Sequence, residues 1–126
     1  MMANPIGWFE IYVADMDRAL KFYQSVFQVN LEPMADPTES GVVMWSFGLD
    51  MQGYGATGAL VKVPGIEAGG NSTLVYFSCQ DCAIEAKRAE MAGGSVQQVK
   101  MAIGDYGYIA IVSDTEGNMI GLHSLQ

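Results

Sequence analysis

The feature that most constrains this chain is a strand, aspartate and helix pattern that occurs twice. A shift of 66 residues (74 minus 8) places Trp8 on Leu74 and Asp15 on Asp81. In each copy an alternating, strand-like stretch precedes the aspartate, and a stretch with helical spacing of apolar residues follows it. Aspartate at such a junction is a preferred N-cap, because its carboxylate accepts hydrogen bonds from free amides of the first helical turn. The repetition predicts two copies of one module.

We expect a single domain over 1–126, with module 1 at about 5–63, a glycine-rich linker at 64–72 and module 2 at about 73–126. In module 1 the patterns predict strands at 8–13, 42–47 and 53–63, a short strand between the last two, and a helix from 15 to near 30. Two prolines mark 31–40 as a connection. In module 2 they predict strands at 74–79, 96–101, 108–112 and 119–123 and a helix at 81–92. Both modules thus have the order βαβββ, and the fold class is α+β.

The charge of the chain excludes some partners. Six Lys and Arg residues stand against 14 Asp and Glu, which gives a net charge of −8. No basic cluster offers a surface for phosphates, so we expect no nucleic-acid partner. There is no run of 18 apolar residues and no basic, apolar N-terminal segment, so we expect no membrane association and a cytoplasmic location.

The two cysteines, Cys79 and Cys82, form a CxxC pattern at a strand-to-helix junction, where redox pairs often occur. Asp81 between them opposes thiolate formation, and the repeat places Cys79 on the apolar position Val13. No further zinc ligands are near. We interpret the cysteines as structural.

Three segments together resemble the vicinal oxygen chelate superfamily, which includes glyoxalase I, extradiol dioxygenases, and bleomycin and fosfomycin resistance proteins. They are the stretch from Phe9 to Tyr23, the run from Gly104 to Ala110, and the turn from Asp114 to Asn118, in which Gly117 and Asn118 are expected to supply positive φ. The branch they look most like is that of lactoylglutathione-lyase-related enzymes. The resemblance implies curved mixed sheets around a concave cavity, with the helices outside.

Metal-dependent members of that superfamily carry a ligand at four places, near the start of the first strand and in the last strand of each module. Here three of these places hold Trp8, Leu74 and Gly121, and 51–63 contains no His, Asp or Glu. Divalent metals in such sites need several imidazole or carboxylate ligands. We therefore predict no metal site and no cofactor.

Candidate site residues follow from strand alternation and from the resemblance. Glu10 and His123 are the candidate catalytic acid and base, and the candidate ligand-binding residues are the aromatic side chains Trp8, Tyr12, Trp45, Tyr76 and Tyr108. A carboxylate between Trp8 and Tyr12 on an enclosed sheet is costly unless it is paired. Glu10 is equally explained as a structural hydrogen-bond acceptor, His123 as a solvated residue near the chain end, and the aromatic residues as part of the core.

Three hypotheses for function remain open. The first is a metal-free protein that binds a small apolar or aromatic molecule in the cavity between modules. The second is a lyase or isomerase that uses Glu10 and His123 as acid and base. The third is a glyoxalase-type metalloenzyme with relocated ligands. Since curved sheets otherwise expose apolar faces, we expect a homodimer that helps to close the cavity.

Overall fold

The computed structural model describes residues 4, 6, 8–35, 41–50, 52–71 and 73–126, and it contains the predicted repeat. The first module consists of β1 (Phe9–Tyr12), α1 (Met16–Phe27), β2 (Glu32–Met34), β3 (Val43–Ser46) and β4 (Gly58–Lys62). The second consists of β5 (Tyr76–Ser78), α2 (Cys82–Met91), β6 (Ser95–Ala102), a short 3₁₀ turn (Gly104–Tyr106), β7 (Tyr108–Ser113) and β8 (Met119–Ser124). The α+β class and the order βαβββ in each module are confirmed.

Each module forms one four-stranded mixed sheet, with the orders β1-β4-β3-β2 and β5-β8-β7-β6. The first strand of each module pairs in parallel with the last, and the other pairs are antiparallel. The strand predicted at 53–63 begins only at Gly58. A Cβ atom at that position would lie 2.2 Å from the carbonyl oxygen of Phe9, so glycine is required where β4 meets β1.

The prediction that 31–40 is only a connection was wrong, because it contains β2. This strand pairs antiparallel with β3, and Pro33 stands opposite Trp45. Proline has no amide proton to donate to a neighbouring strand. Because β2 is the edge strand of its sheet, Pro33 is tolerated there. The prediction of a short strand between β3 and β4 was wrong, because the described residues 47–50 and 52–57 contain none, and β2 is the fourth strand of this sheet. Residues 36–40, which belong to the predicted connection, lie outside the described residues.

Both helices begin at the predicted aspartates. The carboxylate of Asp15 accepts a hydrogen bond from the amide of Arg18 (3.1 Å), and that of Asp81 accepts one from the amide of Ala83 (3.1 Å). The second helix ends before Gly93, which has the positive φ of 100° expected of glycine after a helix.

One cluster of buried apolar residues draws on both modules. Ile11 and Val13 belong to it, and Phe9, Phe77 and Cys79 pack against it, so one face of β1 and β5 meets the helices as the alternation predicts. None of the helices in the described part of the chain is long and apolar enough to cross a membrane.

Candidate functional site

Glu10 lies on the other, exposed face of β1, between the two aromatic side chains that flank it. Its carboxylate accepts one hydrogen bond from Trp8 Nε1 (3.3 Å) and one from the Tyr12 hydroxyl (2.9 Å). The hydrogen bond to Glu10 raises the pKa of the Tyr12 phenol, and partial burial and the charge of Glu10 act in the same direction. The phenol therefore stays protonated and holds the carboxylate in place.

A cavity of about 330 Å³ opens beside this group. Glu10 and Tyr12 line one side of it, and Asn71, Asn118 and Met119 are among the residues on the other. The side-chain amide of Asn118 donates to the carbonyl oxygen of Tyr12 (2.9 Å), and its oxygen accepts from the amide of Gly69 (2.7 Å). The second module thus fixes the end of β1 and one wall of this cavity.

The second sheet has its own open face, which carries Tyr76, Ser78, Met101, Ile109, Met119, Gly121 and His123. This set follows from the strand register, which pairs Tyr76 with Gly121 and Ser78 with His123. The ring of Tyr76 lies directly against Gly121, because a Cβ atom there would be only 2.3 Å from Tyr76 Cδ1. Glycine at this position lets the ring lie flat on the sheet.

A cavity of about 410 Å³ lies over this face, and its walls include Tyr76, Ser78, Tyr106 and Ile109 together with His123. His123 Nε2 is 2.6 Å from the carbonyl oxygen of Tyr106. Since a carbonyl oxygen can only accept, Nε2 carries the proton of this hydrogen bond. The imidazole is therefore oriented by the backbone of the 3₁₀ turn.

Within one chain, the structure does not bring the two candidate catalytic residues together. Glu10 lines the cavity beside β1, and His123 lines the cavity over the second sheet. General acid–base catalysis needs both groups within hydrogen-bond reach of one substrate. A single copy of the chain does not provide this arrangement.

Trp45 and Tyr108, two of the candidate ligand-binding residues, lie on the faces that pack against the helices. Trp45 pairs with Leu60, and Tyr108 shares its face of β7 with Ala110. Both aromatic residues pack against the buried core. Side-chain direction in these strands depends on their register with neighbouring strands, which their local sequence does not determine.

Two of the positions at which the resemblance implies a metal ligand have no ligating side chain in the structure. At the last-strand position of module 2, the ring of Tyr76 covers Gly121. The last strand of module 1, Gly58–Lys62, has no carboxylate or imidazole. Among the residues that the structure describes, no group of three or more His, Cys, Asp or Glu side chains could hold a metal ion.

The cysteines have the environment of structural residues. Cys82 is fully buried, and burial together with the nearby charge of Glu85 raises the pKa of the Cys79 thiol to about 12. A thiol with such a pKa is almost entirely protonated at neutral pH and is a poor nucleophile.

A buried polar network between the modules was missed by the sequence interpretation. The Glu116 carboxylate accepts from the amides of Ala14 and Asp15 (2.9 Å each) and pairs with Arg18 through two bonds of 2.6 and 3.0 Å. Burial raises the pKa of Glu116, but the bonds from Arg18 and the two amides outweigh it and lower the pKa to about 2. The turn of module 2 thus binds the start of helix α1.

Asp114 completes this network from the same turn. One carboxylate oxygen accepts from the buried Tyr23 hydroxyl (2.7 Å), and the other accepts from the amides of Glu116 and Asn118 (2.8 Å each). Gly117 has the predicted positive φ of 84°, but Asn118 does not. The prediction of a positive φ for Asn118 was wrong, and its side chain instead donates to the carbonyl oxygen of Tyr12.

Comparisons with known proteins agree with this architecture. The family model described as Glyoxalase/Bleomycin resistance protein/Dioxygenase superfamily matches residues 5–122. No curated protein matches the chain significantly.

Three solved structures illustrate the similarity. Glyoxalase I from Zea mays is 19% identical with a TM-score of 0.75, and the alignment covers 96% of this chain and 46% of that one. The chain thus spans about half the length of the maize protein. A glyoxalase/bleomycin resistance protein from Albidiferax ferrireducens is 19% identical with a TM-score of 0.68, covering 94% and 98% of the two chains. One from a Streptomyces species is 26% identical with a TM-score of 0.63, again covering 94% and 98%.

Proposed function

The chain belongs to the glyoxalase/bleomycin resistance protein/dioxygenase superfamily, and we propose that it binds a small, flat, apolar or aromatic molecule without a metal ion. This proposal rests on one observation. Where metal-dependent members are expected to place a ligand in the last strand, this chain has Gly121, and the Tyr76 ring lies on it. The position thus offers an aromatic surface instead of a metal ligand.

The surroundings of Tyr76 suit such a molecule. Ile103, Tyr106 and Ile109 add apolar walls, while Ser78 and His123 supply hydrogen-bonding groups at the edge. Binding sites for small molecules are commonly apolar with a few polar groups that fix orientation. An aromatic ligand stacked on Tyr76 gains about 0.5–1.5 kcal/mol beyond the burial of its surface.

We further propose that two copies of the chain close the site. On the open face of the second sheet, Tyr76, Met101 and Met119 are 46%, 43% and 42% exposed. Three large, partly exposed apolar side chains on one face favour its burial against a second copy. If this face meets the Glu10 face of a partner, Glu10 and His123 line one cavity, and the ligand gains a carboxylate and an imidazole as polar contacts.

Native mass spectrometry of freshly purified protein tests whether a small molecule is retained, and fluorescence titration with 1-naphthol tests the aromatic site. We expect Tyr76→Leu to raise the Kd for 1-naphthol about 3- to 10-fold. Gly121→Ala should have the same effect, because the new methyl group displaces the ring.

Tyr54→Leu is the matched control. Tyr54 is 97% exposed and does not line the cavity over the second sheet. A Kd that is unchanged by Tyr76→Leu and Gly121→Ala, or that is changed equally by the control, contradicts the proposed site.

A further inference from the structure

A second cavity of about 440 Å³ lies between the loop after β3, the ends of β1 and β5, and helix α2, and it shares Tyr76 and Ser78 with the cavity over the second sheet. Its walls include four phenylalanines and two carboxylates: Phe9, Phe27, Phe47, Phe77, Asp50 and Glu85. Neither Glu10 nor His123 belongs to it. Within one chain, the cavity combines a wall of phenylalanines with two carboxylates.

The phenylalanines form one connected cluster. Phe27 and Phe77 stack with centroids 4.3 Å apart, and Phe9 meets the Phe77 ring edge-on at 5.8 Å. Phe47 lies 5.6 Å from Phe77 and 5.7 Å from Phe9. Such a cluster holds its rings at fixed angles and presents both ring edges and ring faces to a bound group.

Glu85 is the unusual residue of this cavity. Its Oε1 atom is buried, and it has no hydrogen-bond partner among the described residues. Throughout that same part of the chain, salt bridges join Arg18 to Glu116 and Lys100 to Asp81, and none reaches Glu85. Buried carboxylate oxygens without a partner are rare in folded proteins, because desolvation without compensation is costly.

The possible partners of Glu85 can be compared by their chemistry. An anion is repelled by Glu85, by Asp50 and by the net charge of −8. A metal ion needs several ligating groups, and no suitable group of three or more exists in the described residues. A neutral apolar molecule fits the phenylalanines but leaves the carboxylate oxygen without a donor.

An organic ammonium ion meets every requirement. Its N–H group can donate to the Glu85 carboxylate, its charge compensates that carboxylate, and its apolar part can lie on the phenylalanine rings. We propose that this cavity binds a small primary or secondary amine that carries an aryl or alkyl group.

Calorimetric or NMR titration with 2-phenylethylamine, compared with 2-phenylethanol, tests the proposal. The two probes have similar shape, but only the amine is charged at neutral pH. A charge-assisted hydrogen bond is stronger than a neutral one, so the amine should bind about tenfold tighter or more. Equal binding of the two probes, or no binding of the amine at millimolar concentration, overturns the proposal.

Glu85→Gln should abolish the preference for the amine. Glu90→Gln is the matched control, since it removes the same charge from an exposed position on the same helix. It should leave the preference intact. Retention of the preference in Glu85→Gln, or its loss in Glu90→Gln, contradicts the assignment of Glu85.

Two further measurements guard against an indirect effect of Glu85→Gln. Without ligand, the variant should melt at the same temperature as the wild type or higher, because an uncompensated carboxylate is removed. Its affinity for 1-naphthol should be unchanged, since Glu85 does not line the cavity over the second sheet. A lower melting temperature or a lost affinity for naphthol shows instead that Glu85 supports the fold or the other site.

Discussion

Glu116→Gln should destabilise the protein strongly and in a pH-dependent way, although the residue lies in a turn. The native pKa of Glu116 is about 2, against 4.5 for an unperturbed glutamate. A difference of roughly 2.5 units corresponds to about 3 kcal/mol of folding free energy at neutral pH. Because the folded pKa is depressed, this stabilisation is fully present above pH 4.5 and is lost as the pH falls toward 2. The difference between wild type and variant should therefore shrink from about 3 kcal/mol at pH 7 to about 1 kcal/mol at pH 3.

Urea unfolding, followed by circular dichroism at pH 7, 5, 4 and 3, measures this difference directly. Glu32→Gln is the control, because Glu32 is exposed on an edge strand, and it should change the unfolding free energy by less than about 0.5 kcal/mol. Arg18→Met should cost less than Glu116→Gln, since the amides of Ala14 and Asp15 remain bound to the carboxylate and Arg18 is 51% exposed. A loss below about 1 kcal/mol for Glu116→Gln at pH 7, or a loss that does not shrink with pH, refutes this account of the network.

Three other predictions follow. Light scattering at micromolar concentration should give twice the mass of one chain, and dilution should abolish dimerisation and 1-naphthol binding together; a monomer that keeps its affinity contradicts the shared cavity. Elemental analysis should find zinc, nickel, iron and manganese well below one equivalent, because Trp8 and Leu74 hold expected ligand positions and the Tyr76 ring covers Gly121; one tightly bound ion per chain contradicts this. Iodoacetamide should label native Cys79 very slowly, since raising the thiol pKa from 9.0 to about 12 lowers the thiolate fraction about a thousandfold. Labelling at the rate of a free thiol contradicts this and would show that the end of β5 opens.

Local patterns predicted the parts of the fold that local physics determines. Alternation in β1, the Asp15 cap and the glycines after α2 each act within a few residues, and all of them are found in the structure. Strand β2 was missed for the same reason. Pro33 is a correct local signal against a central strand, but only the sheet order shows that β2 lies at an edge, where proline is tolerated.

The candidate site was predicted less completely, because its geometry depends on distant residues. The Trp8, Glu10 and Tyr12 group follows from alternation along a single strand. The faces of Trp45 and Tyr108 depend on strand register, and the network of Glu116 joins residues about 100 positions apart in the chain. The local sequence contains one sign of that network. The turn from Asp114 to Asn118 carries two carboxylates, although only Gly117 in it has a positive φ.

The two modules use equivalent positions differently, and this difference bears on what the chain can bind. In module 1 the first strand places Glu10 opposite Ala59 of the last strand, and in module 2 it places Tyr76 opposite Gly121. Each outward side chain thus stands over a small residue, but one is a carboxylate held by two aromatic donors and the other is an aromatic ring. The two modules therefore present different chemical groups at equivalent positions. A ligand that contacts both halves therefore needs a flat apolar part for Tyr76 and a hydrogen-bond donor for Glu10. Probes that carry both, such as 1-naphthol, should bind more tightly than naphthalene, which lacks the hydroxyl group.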